Sequence, residues 1–106
     1  MSEIGNRIFK AIADPTRREI FHLLVIGSAL SISQISNSFD ISRQGVTKHI
    51  KVLEEANMVE FKTQGREKFI FAKPEALKEV KDWLAFYDKF WDDKLDSLGR
   101  YLDETT

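Results

Sequence analysis

The sequence has no cysteine, and that absence alone excludes several kinds of site. A chain of 106 residues without Cys cannot form a disulfide, a thiolate metal site or a cysteine nucleophile. Only two histidines are present, His22 and His49, which is too few imidazole donors for a zinc or soft-metal site. We therefore expect no metal site and no cofactor.

Long hydrophobic runs are also missing. No apolar stretch approaches the roughly 20 residues that span a bilayer, and the N-terminus lacks the hydrophobic segment of a signal peptide. We therefore expect a cytoplasmic protein without membrane insertion, and the lack of cysteine fits a reducing compartment. The length suits one domain with its own core and is too short for two, so residues 1–106 are predicted to form a single domain.

Catalytic motifs are absent as well. The sequence contains no Gly-x-Ser-x-Gly nucleophile elbow, and no spacing gathers its Ser, His and Asp residues around one pocket. A small enzyme or a ligand carrier would need a deep pocket, which the sequence does not indicate. We expect no catalytic residues and predict that the protein is not an enzyme.

The net charge of −1 is distributed unevenly along the chain. Residues 1–41 carry four basic and four acidic side chains, residues 42–73 carry seven and four, and residues 74–106 carry five and nine. The middle segment is therefore net +3 and the last segment net −4. A nucleic-acid partner usually requires a local excess of positive charge, and the middle segment has one.

The segment from Ser42 to Ala56 predicts a short helix with two unlike faces, with Ser42 as its N-cap and Asn57 as a left-handed C-cap in place of the more usual Gly. Val46, Ile50 and Leu53 recur at helical spacing and form an apolar stripe that can dock on a core. The remaining side chains include the types that bind base edges, since Arg pairs with guanine and Gln with adenine. These off-stripe residues are Arg43, Gln44, Thr47, Lys48 and Lys51.

The elements around this helix match a winged helix-turn-helix. Ser31 or Ser33 can begin a preceding short helix, which places the helix-turn-helix at about residues 31–56. Two alternating runs then predict a β-hairpin wing at about residues 58–73. We expect four of its apolar residues to share one face: Val59, Phe61, Phe69 and Phe71.

The DNA-contact candidates lie on the second helix and on the wing. The alternative to DNA contact for the basic residues is that they only keep the surface soluble. His49 borders the apolar stripe, and its alternative role is to pack against a neighbouring element and form a hydrogen bond with it. Gly45 either permits close approach to DNA or is simply tolerated. The candidates are Ser42, Arg43, Gln44, Thr47, Lys48, His49, Lys51, Arg66 and Lys68.

Pro74 opens a last helix predicted to run to about Leu102. Its apolar residues cover more than one helical stripe, and a domain of this size cannot bury all of them. A second copy of the chain is the simplest partner that could bury the remaining apolar residues. The alternative is an aromatic pocket for an apolar effector.

Three segments carry a likeness to a known family and span about Ile4 to Leu102. They are A-I-A-D-P-T-R-R-E-I, I-S-R-Q-G-V-T-K-H-I-K-V-L-E-E-A-N-M-V and G-R-E-K-F-I-F. Together they resemble the ArsR-type (ArsR/SmtB) winged-helix repressors of bacteria. The resemblance implies a homodimeric repressor whose first and last helices form the dimer interface. The interface residues expected here are Ile4, Ile8, Trp83, Tyr87, Phe90, Trp91, Leu95 and Leu98.

One departure from the family pattern concerns metal sensing. Metal-sensing members carry Cys on the third helix or Asp, Glu and His ligands on the last helix, whereas here the third helix is S-I-S-Q-I-S-N-S-F and the last has neither His nor Cys. The chain is more similar to the branch without metal sites, which includes the sporulation-delay operon autorepressor. We therefore expect a regulator that does not respond to metal.

The predicted fold is a mainly α winged helix-turn-helix with about five helices and a two-stranded wing. The predicted function is repression through a palindromic operator in double-stranded DNA, with the recognition helix in the major groove and the wing on the backbone or minor groove. The alternatives are a winged-helix protein-interaction module and a small-molecule-responsive regulator with an aromatic effector pocket.

Overall fold

A computed structural model describes residues 2–105 and has a mainly helical winged fold, as the sequence predicts. Its one sheet is an antiparallel pair of strands, and no helix in this range is long and apolar enough to cross a membrane. The elements are α1 (Glu3–Ala13), α2 (Pro15–Ile26), α3 (Ile32–Phe39), α4 (Arg43–Glu55), β1 (Val59–Gln64), β2 (Glu67–Ala72), a 3-10 turn (Pro74–Leu77) and α5 (Lys78–Thr105).

Side-chain caps set where the first four helices begin. Ser2, Asp14 and Ser42 each accept a hydrogen bond from the backbone N–H three residues later. Ser31 forms a capping box with Gln34, in which each side chain bonds the backbone N–H of the other residue. Such caps satisfy N–H groups that the helix leaves unpaired. Of the two serines proposed for α3, Ser31 is therefore the cap.

The apolar stripe of α4 lies at the centre of the core. Val46, Ile50 and Leu53 are each 0% exposed, so this face of α4 makes no contact with solvent. The other core residues come from α1, α2, α3, the end of α4 and both strands. They are Ile8, Ala11, Ile20, Phe21, Leu24, Ile35, Ala56, Met58, Val59 and Ile70.

A left-handed residue ends α4 and directs the chain into the wing. Asn57 has φ 60°, as the sequence predicts for a cap that replaces glycine. Its N–H donates to Glu54 O at 2.9 Å, and the Met58 N–H donates to Leu53 O at 2.9 Å. This is a Schellman arrangement. Met58 is fully buried and its carbonyl accepts from Lys73 N at 2.7 Å, so the same turn ties α4 to the base of the wing.

The wing has a register that the sequence pattern did not predict. Gly65, at φ 65°, and Arg66 form a two-residue turn, so Phe61 pairs with Ile70 and not with Phe69. Paired residues share a face and successive residues alternate. The expectation that Phe69 and Phe71 lie on the face of Val59 and Phe61 is therefore wrong.

The last helix differs in its bounds from the sequence prediction. The segment from Pro74 first forms a 3-10 turn, and the α-helix runs from Lys78 to Thr105, past the expected end near Leu102. Its 28 residues span about 42 Å at 1.5 Å per residue. Ala76, Leu77 and Val80 pack on the core, whereas residues 81–104 are all exposed.

Substitution of Gly45 tests how tightly α4 packs at its first turn. A Cβ at this position would lie 2.8 Å from Ile41 Cγ2, closer than carbon atoms pack. We expect Gly45→Ala to lower the free energy of unfolding by about 1 kcal/mol, because overpacking outweighs the gain in helix propensity. In an Ile41→Ala background the same change should become neutral or stabilising in urea denaturation. A destabilisation that persists in that background would contradict the steric explanation.

Candidate nucleic-acid interface

The solvent face of α4 carries unpaired cations and one amide. Arg43, Gln44, Lys48 and Lys51 are all exposed. Within residues 2–105, no ion pair or side-chain hydrogen bond engages any of them. Gln44, Lys48 and Lys51 lie opposite the fully buried stripe of the same helix, and Arg43 is exposed at the N-terminal end of the helix. Free guanidinium, ammonium and amide groups on a rigid helix suit contact with phosphates and base edges.

Two hydroxyl groups on this helix are already used locally. The Ser42 Oγ accepts from Gly45 N at 3.0 Å and caps the helix. The Thr47 Oγ1 donates to Arg43 O at 2.8 Å, so its proton is not available to a partner. Thr47 still presents an exposed methyl group and an acceptor lone pair, which are the features that contact a thymine methyl and a donor on a base.

The cations of the wing divide into engaged and free side chains. Lys62 lies 3.4 Å from Glu60 Oε1 and 4.9 Å from the centre of the Phe71 ring. Arg66, in the turn itself, and Lys68 are exposed, and the structure assigns them no ion pair within its described range. Arg66 and Lys68 are therefore the wing side chains available to a phosphate or a groove.

His49 differs from the other candidates because it faces the protein. It is half-buried, and its Nδ1 lies 3.4 Å from Arg17 Nη1. Arg17 also donates from Nε to Ala11 O at 2.9 Å and from Nη2 to Lys10 O at 3.1 Å. The sequence offers no signal for the Arg17–His49 contact, since the two residues are 32 positions apart.

Asp14 lies at the same corner between α1 and α2. Its carboxylate accepts from Arg17 N at 2.9 Å. That backbone hydrogen bond, together with the charge of Arg17, holds the pKa of Asp14 below its ordinary value of 3.8, and burial opposes the shift in part. The carboxylate is therefore the stable form in the folded protein.

The helix-turn-helix region and most of the chain are similar to known transcription regulators. Residues 12–60 match the model of a helix-turn-helix domain family. The chain is 30% identical over 79 residues to the transcriptional repressor SdpR of Bacillus subtilis, covering 74% of this chain and 87% of that protein. A solved ArsR family transcriptional regulator superposes with a TM-score of 0.75 at 33% identity, over 85% of this chain and 92% of the other. The chain belongs to the ArsR family.

This ArsR-family protein is a transcriptional regulator with a helix-turn-helix DNA-binding domain, and the resemblance drawn from the sequence is confirmed. An ArsR-like transcriptional regulator from Rhodococcus sp. RHA1 also superposes with a TM-score of 0.75, at 28% identity over 93% of this chain and 90% of that one. Because this second match covers 93% of the chain, the wing and most of the last helix belong to the shared fold.

The two histidines of this ArsR-family chain lie in unlike environments. His22 is exposed, because α2 buries Ile20, Phe21 and Leu24 on its other side. His49 is bonded to Arg17. In the part of the chain that the structure describes, no three or more His, Asp or Glu side chains are grouped closely enough to hold a metal ion.

Most of the expected dimer-interface residues lie on the surface, and one does not. Ile8 is 1% exposed because it packs in the core of its own protomer, so it is not available to a partner and its assignment to the interface is corrected. Ile4 is 38% exposed. The α5 candidates are 41–64% exposed: Trp83, Tyr87, Phe90, Trp91, Leu95 and Leu98.

The lowered pKa of Asp14 gives a testable dependence of stability on pH. A carboxyl group with a lowered folded-state pKa stabilises the fold above its ordinary pKa, and that stability is lost as the pH falls through the folded value. Asp14→Asn keeps an oxygen acceptor for Arg17 N but cannot titrate. We expect the variant to be less stable than wild type in urea at about pH 6, and the difference to shrink as the pH falls below 3.8 and through the folded-state pKa of Asp14. A difference that does not change with pH would contradict the role of the charge.

Proposed function

We propose that this regulator is a homodimeric repressor that binds a palindromic operator, with α4 in the major groove and the wing on the backbone or minor groove. The observation that carries the proposal is the division of α4 into a fully buried stripe and an exposed face of unpaired polar groups. A helix of this kind, followed by a hairpin, suits insertion of the exposed face into the groove. A role of this protein in DNA binding, and not in catalysis, accords with the transcription regulators to which it is similar.

The proposed contacts divide into base contacts and phosphate contacts. Arg43 and Gln44 lie in the first turn of α4, the part of a recognition helix that contacts base edges. Arg suits guanine and Gln suits adenine, and Thr47 adds its methyl group. Lys48 and Lys51 suit phosphates along the groove, as does Ser42 at the helix N-terminus. The wing adds Arg66 and Lys68.

Dimerisation is supported by the long exposed helix. The apolar residues of α5 from Trp83 to Leu98 lie on one side of the helix, and their rings contact each other edge-on: Trp83 and Tyr87 are 5.2 Å apart, and Phe86 and Tyr87 are 5.1 Å apart. A continuous aromatic face suits a second helix better than it suits a small effector. Two-fold symmetry would place two α4 helices about 34–36 Å apart on a palindrome.

Repression without a metal signal is part of the proposal. The relative SdpR is a transcriptional repressor, which supports repression here. The chain has no cysteine, and only one of its two histidines, His22, is exposed, so thiolate ligands are absent and imidazole ligands are too few for a zinc site. Addition of Zn²⁺ should leave DNA affinity unchanged in a mobility-shift titration.

The double substitution Arg43→Ala with Lys48→Ala tests the DNA-binding face. We expect affinity for the DNA upstream of the protein's own gene to fall at least about tenfold. The slope of log affinity against log salt should also decrease by about 0.9 for each phosphate that the variant no longer neutralises. The measurement is a mobility-shift titration at several salt concentrations.

The matched control removes the same two charge types from the polar side of α5. Lys81→Ala with Arg100→Ala should leave both the affinity and the salt slope unchanged. Weak binding that responds equally to both double variants, or not at all, would favour a winged-helix module that binds proteins and not DNA.

Adjacent substitutions on α5 test the dimer. Trp91 is 64% exposed within its own protomer, so Trp91→Lys should leave the protomer folded while placing a charge in the proposed interface. We expect the dimer dissociation constant to rise at least about 30-fold, the effect of losing an interfacial hot spot. Sedimentation equilibrium measures the constant directly.

Asp92→Lys is the control, since residue 92 lies about 100° around the helix from residue 91, on the polar side. This variant should dimerise as wild type does. A wild-type protein that sediments as a monomer, or a dimer that tolerates Trp91→Lys, would rule out this face as the interface.

A further inference from the structure

The guanidinium group of Arg17 connects three parts of the fold. Its Nε and Nη2 donate to the carbonyls of Ala11 and Lys10, at 2.9 and 3.1 Å, in the last turn of α1. Its Nη1 lies 3.4 Å from His49 Nδ1 on the recognition helix. The backbone of Arg17 is fixed separately, because its N–H donates to the Asp14 cap of α2. One side chain therefore links α1, α2 and α4.

The chemistry of the two partners defines the direction of this contact. A guanidinium group has only donors, so a hydrogen bond across this distance requires Nδ1 of His49 to accept and the imidazole proton to lie on Nε2. The main-chain bonds to Ala11 and Lys10 immobilise the Arg17 side chain before it reaches His49. His49 thus meets a donor held on the corner between two helices, and not a mobile surface cation.

The contact between Arg17 and His49 restrains the position of α4 along its axis, which apolar packing alone does less well. Burial of Val46, Ile50 and Leu53 fixes which side of the helix faces the core, but apolar contact is non-directional and resists small shifts along the helix axis less well. A hydrogen bond depends on both distance and angle. His49 directly follows Lys48, so its anchor lies beside the side chains proposed to contact DNA.

We propose that Arg17 and His49 form a bridge that positions the recognition helix, and that His49 acts as a positioning residue and not as a DNA contact. This proposal rests on the proposed DNA-binding function. It reassigns His49 from the set expected to contact DNA. It also adds Arg17, which lies on α2 and outside the α3–α4 motif, to the residues that determine operator affinity.

Two substitutions at His49 separate the bridge from a phosphate contact. His49→Asn retains an acceptor near the position of Nδ1, whereas His49→Leu retains the volume and removes the acceptor. We expect His49→Leu to weaken binding to the upstream DNA about tenfold, with an unchanged salt slope and a smaller loss on a scrambled sequence, since non-specific binding depends mainly on charge. His49→Asn should bind within about threefold of wild type.

Arg17 provides the second arm of the experiment. Arg17→Gln should weaken operator binding as His49→Leu does, and the double variant should show little further loss, because both changes remove one interaction. Arg17→Gln also removes the bonds to α1 and can destabilise the fold, so urea denaturation of every variant is measured in parallel. His49→Leu leaves the α1 contacts intact and keeps the comparison interpretable.

Nitrogen-15 NMR of the imidazole tests the bridge without DNA. The free wild-type protein should show Nε2 protonated and Nδ1 as acceptor, and Arg17→Gln should shift the Nδ1 resonance. A proton on Nδ1, or no response to Arg17→Gln, would overturn the bridge.

The outcomes on DNA are also distinct. A salt slope that falls by about 0.9 in His49→Leu, with Arg17→Gln harmless, would identify a phosphate contact and overturn the positioning role. A wild-type protein with no salt-dependent DNA binding would refute the proposed function itself, while the NMR result would still decide whether the bridge exists.

Discussion

The burial of one stripe on α4 is the constraint on which the DNA-binding surface depends. Val46, Ile50 and Leu53 are each 0% exposed, and the free energy of removing such side chains from water fixes the rotation of the helix about its axis. With that rotation fixed, Gln44 and Lys48 have no orientation except toward solvent, and Arg43 is exposed because it is the first residue of the helix, before the buried stripe begins. Crowding at Gly45, where a Cβ would meet Ile41 at 2.8 Å, shows that the fit is close at the first turn as well.

Polar interactions set the remaining degrees of freedom of this helix. The Ser42 cap begins it, and the Schellman turn at Asn57 ends it and ties it to the wing through Met58 and Lys73. Arg17, at the corner between α1 and α2, contacts the helix at His49. The recognition helix is thus fixed at both ends and at one point along its length, and rigid presentation lowers the entropy that binding would otherwise cost.

The sequence predicted the features that depend on near neighbours. The cap at Ser42, the stripe of α4 and the left-handed Asn57 each follow from residues within one or two turns. The features that it did not predict depend on distant residues. Which side chains share a face of the wing depends on the pairing register of its two strands, because a shift of one residue exchanges the two faces. The burial of Ile8 in the core and the contact of His49 with Arg17 depend on how α1 and α2 pack on α4. Which side chains contact DNA stays a proposal, because the local sequence pattern determines which side chains are exposed but not what they bind.

The separation of charge along the chain is explained by the projection of α5. Residues 42–73 are net +3 and residues 74–106 net −4, and on a small sphere these charges would largely offset each other. Here α5 extends about 42 Å in a protomer whose longest dimension is 67 Å. Charges interact weakly beyond a Debye length of about 8 Å at physiological salt, so the acidic residues in the distal half of α5 do not cancel the field of α4 and the wing. An overall net charge near zero is therefore compatible with a locally basic DNA-binding surface.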